Sequence, residues 1–360
     1  MSTENKITVV LVDDSSVIRG ALARIIETDP NIEIVASVSN GEMAVSIASN
    51  KKPDVMILDI EMPVMDGLTA LPKILEKSPD TKVVMFSALT EQGADITIRA
   101  MALGAVECIV KPASSQDTGP GSEFHRYITG LINTLGSVPH AHAHHENIQT
   151  KVDAPKQRPL SSPRTSASGA FAQPEILAIG SSTGGPQALF KVLKTIGTID
   201  VPIIITQHMP ATFTKILAEH ITQHASMPAQ EGEDGMVLEN GHIYVAPGGK
   251  HMGFKREGGK LVIKLNDDAP ENFCKPAVDV MMRSIIELYQ NRILCVILTG
   301  MGQDGLIGAR DLHEKGGRII AQDKETSVVW GMPGAVATAE ICDKILPIDD
   351  IGPTIKKIIG

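Results

Sequence analysis

Strand-length apolar runs alternate with helix-length segments at the start of the chain, and this alternation strongly limits its fold. The five runs are rich in valine and isoleucine and lie at residues 6–12, 32–38, 55–58, 82–86 and 106–110. The segments between them place apolar residues three and four positions apart, which is the spacing of an amphipathic helix. Because strands that alternate with helices form parallel sheets, we predict an α/β domain with helices on both faces.

Polar side chains follow these runs where the predicted strands end: Asp13, Asp14, Asp59, Ser87 and Lys111. The carboxyl ends of parallel strands share one edge of a sheet, so we expect these side chains to converge. Carboxylates in one cleft repel one another unless a hard cation such as Mg²⁺ lies among them. A carboxylate beside Mg²⁺ can attack a phosphoryl group, whose oxygens a lysine and a hydroxyl can hold. Acidic residues can also simply end strands, but this many at consecutive strand ends favours a site.

Residues 6 to about 135 resemble a response-regulator receiver domain. The resemblance rests on the acidic pair Asp13-Asp14, the segment D-I-x-M-P-x-M-D-G that begins at Asp59, and on Ser87 and Lys111. It implies a flavodoxin-like fold in which a histidine kinase phosphorylates Asp59. It also implies that Asp13, Asp14 and Asp59 hold Mg²⁺ and that Ser87 and Lys111 contact the phosphoryl group.

Two further expectations follow from the receiver resemblance. It suggests a cis peptide bond between Lys111 and Pro112, since a cis bond costs little before proline. In many receivers an aromatic residue three positions before the lysine acts as a rotameric switch. Cys108 occupies that position here.

The composition changes between residues 136 and 173, where proline, serine, alanine and histidine dominate and apolar periodicity is lost. This pattern predicts a flexible linker between a first domain at residues 1–135 and a second at residues 174–360. The linker histidines could bind a metal ion, but a solvated low-complexity tract is the simpler interpretation. They are His140, His142, His144 and His145.

The second domain begins with an apolar run at residues 176–179 that stops at Gly180 and is followed by Ser181, Ser182 and Thr183. A helix pattern starts at Gln187, so the stretch predicts a strand, a tight turn and a helix. A hydroxyl in such a turn lies where open α/β sheets bind ligands, beside helix N–H groups that can face an oxyanion. The stretch matches neither a dinucleotide fingerprint, nor a P-loop, nor a nucleophile elbow. Spacing alone does not decide which hydroxyl would react.

Two later strands of a doubly wound α/β pattern end near His208 and Asp304. A serine hydroxyl needs a base to become a nucleophile, and an imidazole oriented by a carboxylate is suited to that task. The order serine, histidine, aspartate differs from that of the familiar hydrolase lineages. Other histidines and aspartates have weaker claims, because they lie on predicted helices, after another strand or in a glycine-rich loop: His220, His224, His251, Asp279, Asp311 and Asp323.

Residues from about 175 to 358 resemble the catalytic domain of the chemotaxis protein-glutamate methylesterase (CheB) family. The matching segments are IGSSTGG at 179–185, QHMP at 207–210, YVAPG at 244–248, KPAVDV at 275–280, LTGMGQDG at 298–305 and TSVVWGMP at 326–333. The resemblance implies that Ser182 is the nucleophile, His208 the general base and Asp304 its orienting carboxylate. It also implies that the backbone N–H of Met301 contributes to an oxyanion hole.

The activity implied by this resemblance is hydrolysis of glutamate methyl esters on chemoreceptors, with deamidation of glutamine at the same site and no cofactor for the esterase. The implied role is sensory adaptation in chemotaxis. The implied partners are methyl-accepting chemoreceptors and a chemotaxis histidine kinase, and phosphorylation of Asp59 would relieve the receiver's cover of the cleft. A phosphorylation-gated binding protein with a vestigial triad is the alternative, against which the intact Ser182, His208 and Asp304 argue.

Composition excludes other classes of function. The net charge of −9 and the lack of a dense basic block argue against a nucleic-acid partner, and hence against a transcription factor. We expect no membrane insertion, because no apolar stretch reaches the length of a membrane span. No secretory signal is evident, and the four cysteines form no C-x-x-C pair, so we expect a cytoplasmic protein with reduced thiols. We also expect the protein to be a monomer.

Overall fold

The computed structural model describes residues 6–88, 90–112, 119, 121–137 and 172–360. The described residues form two parallel sheets with helices packed on them, one before and one after the predicted linker. Residues 138–171 of that linker, including its four histidines, lie outside the described residues.

The first sheet is the one expected from the strand–helix alternation. Its elements are β1 (Ile7–Val12), α1 (Ser16–Ile26), β2 (Ile32–Val38), α2 (Gly41–Lys51), β3 (Val55–Asp59), α3 (Gly67–Lys77), β4 (Lys82–Ser87), α4 (Glu91–Ala102), β5 (Glu107–Val110) and α5 (Glu123–Gly136). The parallel strands lie in the order β2-β1-β3-β4-β5, so the predicted flavodoxin-like fold is confirmed. Each helix follows a residue whose side chain accepts a hydrogen bond from the first turn, as good N-caps do: Ser15, Asn40, Asp66, Thr90 and Ser122.

The second sheet is also parallel, and the predicted doubly wound α/β domain is confirmed. Its elements are β6 (Ile176–Ser181), α6 (Gly185–Ile196), β7 (Ile203–Gln207), α7 (Ala211–His224), β8 (Ala229–Glu231), β9 (Ile243–Val245), α8 (Val278–Tyr289), β12 (Ile293–Ile297), α9 (Leu306–Glu314), β13 (Arg318–Gln322), α10 (Met332–Thr338), β14 (Lys344–Leu346) and α11 (Ile348–Ile359). An antiparallel hairpin of β10 (His251–Glu257) and β11 (Lys260–Asn266) lies outside this sheet.

The strand order of the second sheet places the turn after β6 at a topological switch point. The order is β14-β13-β12-β6-β7-β9-β8, so the chain builds outward from β6 through β7 and later returns to build outward through β12 on the other side. In such sheets the crevice at the carboxyl ends of the two central strands is where ligands bind. Ser182 and Leu298 begin the loops on either side of this crevice.

Two helices beside this crevice start at glycines in the left-handed region. Gly184 precedes α6 with φ of 75° and Gly305 precedes α9 with φ of 90°. A Cβ on Gly184 would lie 2.7 Å from Val328 Cβ. Only glycine therefore combines this backbone angle with the close packing at the first of these turns.

One backbone expectation is wrong. The cis peptide bond of the described residues joins Lys275 to Pro276, and the Lys111–Pro112 bond is trans. The trans form is the more stable one for an isolated X–Pro bond. Among the described helices, none combines the length and the apolar character needed to cross a membrane.

Candidate active site

The register of two neighbouring strands brings Ser182 and His208 to the same sheet edge. Ser181 is paired with Gln207 at the ends of β6 and β7, and Ser182 and His208 are the next residues of each segment. The backbone N–H of His208 donates to the carbonyl of Ser181 at 3.1 Å. The N–H of Ser182 donates to the carbonyl of Thr299 at 3.0 Å, which also ties this turn to the end of β12.

The three hydroxyls of this turn differ in their partners. Ser181 donates to Gln207 Oε1 at 2.7 Å, and Thr183 donates to Glu107 Oε2 at 2.6 Å. The hydroxyl of Ser182 makes no hydrogen bond within the described part of the chain, and the residue is 9% exposed. Among the three hydroxyls, that of Ser182 is therefore the best candidate nucleophile, a distinction that spacing could not make.

His208 and Asp304 form a direct pair. Nε2 of His208 lies 2.7 Å from Oδ2 of Asp304, which is buried. The carboxylate also accepts hydrogen bonds from the backbone N–H groups of Val278 at 2.6 Å and Asp279 at 3.1 Å. These N–H groups belong to the first turn of α8, where a negative charge is favourable. The helix thus fixes the carboxylate that orients the imidazole.

The charges of this pair stabilise each other. Burial alone would lower the pKa of His208, but its contacts with Asp304 and Cys274 raise that pKa to about 10. Burial alone would raise the pKa of Asp304, but its hydrogen bond to His208 lowers that pKa below the ordinary value. His208 makes no hydrogen bond with Ser182 here, although both residues are described.

Three groups around the pair were not assigned a role from the sequence. The side-chain amide of Asn272 donates to Asp304 Oδ1 and to Asp279 Oδ2, both at 3.0 Å. Asp279 also accepts from the N–H of Gly308 at 2.8 Å, and burial raises its pKa to about 6. Sγ of Cys274 lies 3.3 Å from Nδ1 of His208. Asn272 and Cys274 come from a loop rather than a strand end, so strand-end reasoning could not find them.

Met301 lies in the loop after β12, near Ser182. Its backbone N–H makes no hydrogen bond within the described residues, so it is available to a developing oxyanion. The preceding residue is packed closely, because a Cβ on Gly300 would lie 2.8 Å from Ser182 Cβ. These contacts are consistent with the expectation for Met301, which stays a prediction.

The other candidate histidines have structural partners. Nε2 of His220 lies 2.8 Å from Asp95 Oδ1, and the ring of His224 stacks on Phe190 at 4.7 Å between centroids. His251 is fully buried, and its Nδ1 accepts from the backbone N–H of Ala277 at 3.2 Å. These three histidines are therefore held by contacts other than those of the His208–Asp304 pair.

The polar residues of the first sheet also converge at one edge. Nζ of Lys111 lies 2.7 Å from Asp59 Oδ1 and 2.9 Å from Asp13 Oδ2. Asp59 is 2% exposed, and burial raises its pKa to about 6 although the pairing with Lys111 opposes this shift. Ser87 is buried at the end of the adjacent strand. Asp14, Asp59, Ser87 and Lys111 line a common cleft.

The acidic residues of this cleft fit a divalent cation. One oxygen each from Asp13, Asp14 and Asp59 lies within 4.8 Å of the other two. Oδ2 of Asp59 is buried and has no hydrogen-bond partner in the described part of the structure, which leaves an oxygen lone pair for a hard cation. Oxygen ligands alone are the set that Mg²⁺ prefers, so the residues present match the Mg²⁺ predicted from the sequence.

The first domain lies on the turn that contains Ser182. The N–H of Gly184 donates to the carbonyl of Val106 at 2.9 Å, and Gln187 donates to the carbonyl of Ala105. Thr183, adjacent to Ser182, donates to Glu107, whose burial raises the pKa of that carboxyl. The residue that begins β5 is therefore bonded directly to the turn of the candidate nucleophile.

Apolar contacts extend this interface. Val329 is buried in the core cluster of the first sheet, and Met301 packs against the same cluster. On the other side, Ile98 of α4 shares a cluster with Leu217 of α7. The first domain thus packs against the second through two apolar clusters as well as through the hydrogen bonds to this turn.

Comparison with known proteins agrees with this architecture. The CheB methylesterase family model matches residues 177–355, and the response regulator receiver domain model matches residues 9–118. The chain is 49% identical to protein-glutamate methylesterase/protein-glutamine glutaminase 1 of Paramagnetospirillum magneticum, over 98% of this chain and 96% of that protein. It is 48% identical to the protein of the same activity name from Azospirillum brasilense, over 98% of this chain and 92% of that protein.

A solved structure gives a matching domain. The crystal structure of the Thermotoga maritima CheB methylesterase catalytic domain is 39% identical, with a TM-score of 0.50, and the match covers 51% of this chain and 98% of that one. The fold, the two matched domains and the identity over almost the full length lead to one conclusion. The chain belongs to the CheB methylesterase family, with a response-regulator receiver domain ahead of its catalytic domain.

Proposed function

We propose that the chain hydrolyses glutamate methyl esters on chemoreceptors and deamidates glutamine at the same site, under control of receiver phosphorylation. One observation carries the proposal: an imidazole–carboxylate pair lies at the sheet edge that also holds Ser182, whose hydroxyl has no hydrogen-bond partner among the described residues. The activity names of relatives that are nearly half identical to this chain supply the substrate class. We assign residues 1–135 to the receiver, 136–173 to the linker and 174–360 to the catalytic domain.

The reaction begins with Ser182. Its Oγ attacks the ester carbonyl while His208 accepts the hydroxyl proton at Nδ1, the ring nitrogen that Asp304 does not occupy. Asp304 holds the ring and stabilises the imidazolium that forms. The N–H of Met301 donates to the oxyanion of the tetrahedral intermediate. His208 returns the proton to the leaving methoxide, methanol departs, and water releases the glutamate by the reverse sequence of proton transfers.

The receiver controls access to this site. In the closed arrangement Glu107 and Val106 are bonded to Thr183 and Gly184, so a receptor helix has no approach to Ser182. Phosphorylation of Asp59 by a chemotaxis histidine kinase shifts the equilibrium between closed and open states toward the open one. The size of the shift is the difference between the free energies with which the phosphoryl group interacts with the two states. Bound Mg²⁺ would supply positive charge for phosphoryl transfer, and Asp13, Asp14 and Asp59 would hold it. We further propose a cytoplasmic monomer that needs no cofactor for the esterase step.

Replacing Asp59 by asparagine is expected to remove stimulation by a phosphodonor and to leave the basal rate. The amide is not phosphorylated, but the crevice after β6 is unchanged. The measurement is release of volatile methanol from methylated receptor membranes, with and without a small-molecule phosphodonor and Mg²⁺. Glu76→Gln, on the exposed surface of α3, is the matched control and should respond like the parent.

Two results of that experiment would count against the proposal. An Asp59→Asn variant that is still stimulated would place the phosphorylation site elsewhere. A parent chain that takes up phosphate but releases no methanol would favour the alternative, a phosphorylation-gated binding protein with a vestigial triad.

A further inference from the structure

Cys274 lies against the nitrogen of His208 that must accept a proton. Its Sγ is 3.3 Å from Nδ1 of His208 and 3.3 Å from the carbonyl oxygen of Asn272. Cys274 is only partly buried. Cys274, His208 and Asp304 therefore form a second nucleophile–imidazole–carboxylate arrangement that shares two residues with the first.

A tight turn fixes the thiol in this place. Glu271 and Cys274 exchange backbone hydrogen bonds at 2.9 and 3.1 Å around Asn272 and Phe273. Both central residues have positive φ, 53° and 63°, which is the pattern of a type I′ turn. Two side chains of the turn hold it in place. Asn272 donates to Asp304, and Glu271 pairs with Arg283 through two contacts of 2.6 Å.

We propose that Cys274 is an oxidisable thiol whose modification switches off His208. Sγ lies within hydrogen-bond distance of Nδ1, so His208 can accept the thiol proton as the sulfur attacks an oxidant. The thiolate attacks a peroxide oxygen, the O–O bond breaks, sulfur is oxidised to sulfenate and the peroxide is reduced to water. With a low-molecular-weight disulfide, the thiolate forms a mixed disulfide and one thiolate leaves.

The modification blocks the base rather than the nucleophile. A sulfenate oxygen or a thiol adduct on Sγ would occupy the space at Nδ1 and hold that nitrogen by a hydrogen bond. Ser182 then has no acceptor for its proton, and the loss should approach the roughly 100-fold or greater contribution typical of a general base. A dithiol reductant reverses either modification, so activity should return.

The other cysteines serve as internal controls. Burial raises the pKa of Cys108 and of Cys342 to about 12, and it raises the pKa of Cys295 further. Thiols held in the neutral form are poor nucleophiles. Oxidation at neutral pH should therefore concentrate on Cys274.

The test exposes the full chain to hydrogen peroxide or oxidised glutathione in the presence of EDTA, which removes any metal ion bound by Cys274 and His208. Two readouts are taken: the mass of the peptide that contains each cysteine, and the ratio of methanol release after and before treatment. In the parent and in Cys108→Ala, Cys274 should be modified and the rate of methanol release should fall about 100-fold. Dithiothreitol should restore that rate. For Cys274→Ala and Cys274→Ser the ratio should stay near one.

The two readouts separate this inference from the proposed function on which it rests. Preferential modification of Cys274 in a chain that never releases methanol would sink the esterase proposal and support the reactive thiol. An active chain whose Cys274 stays unmodified, or whose Cys274→Ala variant loses the same fraction of activity, would overturn the switch.

Discussion

Replacing Ser182 by alanine is expected to reduce methanol release by about 10⁶-fold, to the level that binding and oxyanion stabilisation alone provide. The reason is that the turn offers no substitute nucleophile: the hydroxyls of Ser181 and Thr183 already donate to Gln207 and Glu107. Phosphorylation of Asp59 should survive, because the receiver cleft does not contain Ser182. The measurement is methanol release from methylated receptor membranes alongside phosphoryl uptake.

The neighbouring serine provides the matched control. Ser181→Ala removes a buried hydrogen bond to Gln207, which costs about 1 kcal/mol, so the rate should fall by no more than about tenfold. Methanol release by Ser182→Ala at the parental rate, or a loss in Ser181→Ala as large as that in Ser182→Ala, would contradict the assignment.

Replacing Asp304 by asparagine is expected to lower the rate by about 10⁴-fold. The carboxylate accepts hydrogen bonds from His208, Asn272 and the first turn of α8, and an amide can accept at only one of its two ends. The amide also fails to stabilise the imidazolium, and it allows His208 to adopt the wrong tautomer. The readout is the rate constant for methanol release at saturating phosphodonor.

Asp279 is the control for this substitution, because its carboxylate lies beside Asp304 but bonds to Asn272 and Gly308 rather than to His208. The rate constant for methanol release should fall by about tenfold at most in Asp279→Asn, because only one hydrogen bond is weakened. If both asparagine variants lost activity equally, the large effect of Asp304 would reflect structural damage near α8 and not the orientation of His208.

The convergence of the candidate site residues could be predicted because parallel sheets align their strand ends. Ser182, His208 and Asp304 follow three strands of one sheet, and the register of β6 and β7 places the first two side by side. The same reasoning located Asp59 and Lys111 in the first sheet. Such predictions need only strand direction and the order of elements, which apolar periodicity reveals.

The residues that were missed owe their positions to loop conformation and to tertiary contact. Asn272 and Cys274 reach the pair through a turn whose central residues, Asn272 and Phe273, both have positive φ. Phenylalanine is not a residue that signals such a turn in a sequence. Glu107 meets Thr183 only because the two sheets pack together across a predicted linker. No local pattern encodes that packing. The α5 helix was not predicted for a different reason: it follows the last strand of the first sheet, and the alternation of strands and helices was read only as far as that strand.

The most direct test of the central claim is a double-variant comparison, in which methanol release is measured for Ser182→Ala, Asp304→Asn and the two combined. If Ser182, His208 and Asp304 act as one catalytic unit, removing the nucleophile leaves Asp304 nothing to assist, so the double variant should be no slower than Ser182→Ala. If the two losses multiply, the residues act independently and the triad is contradicted.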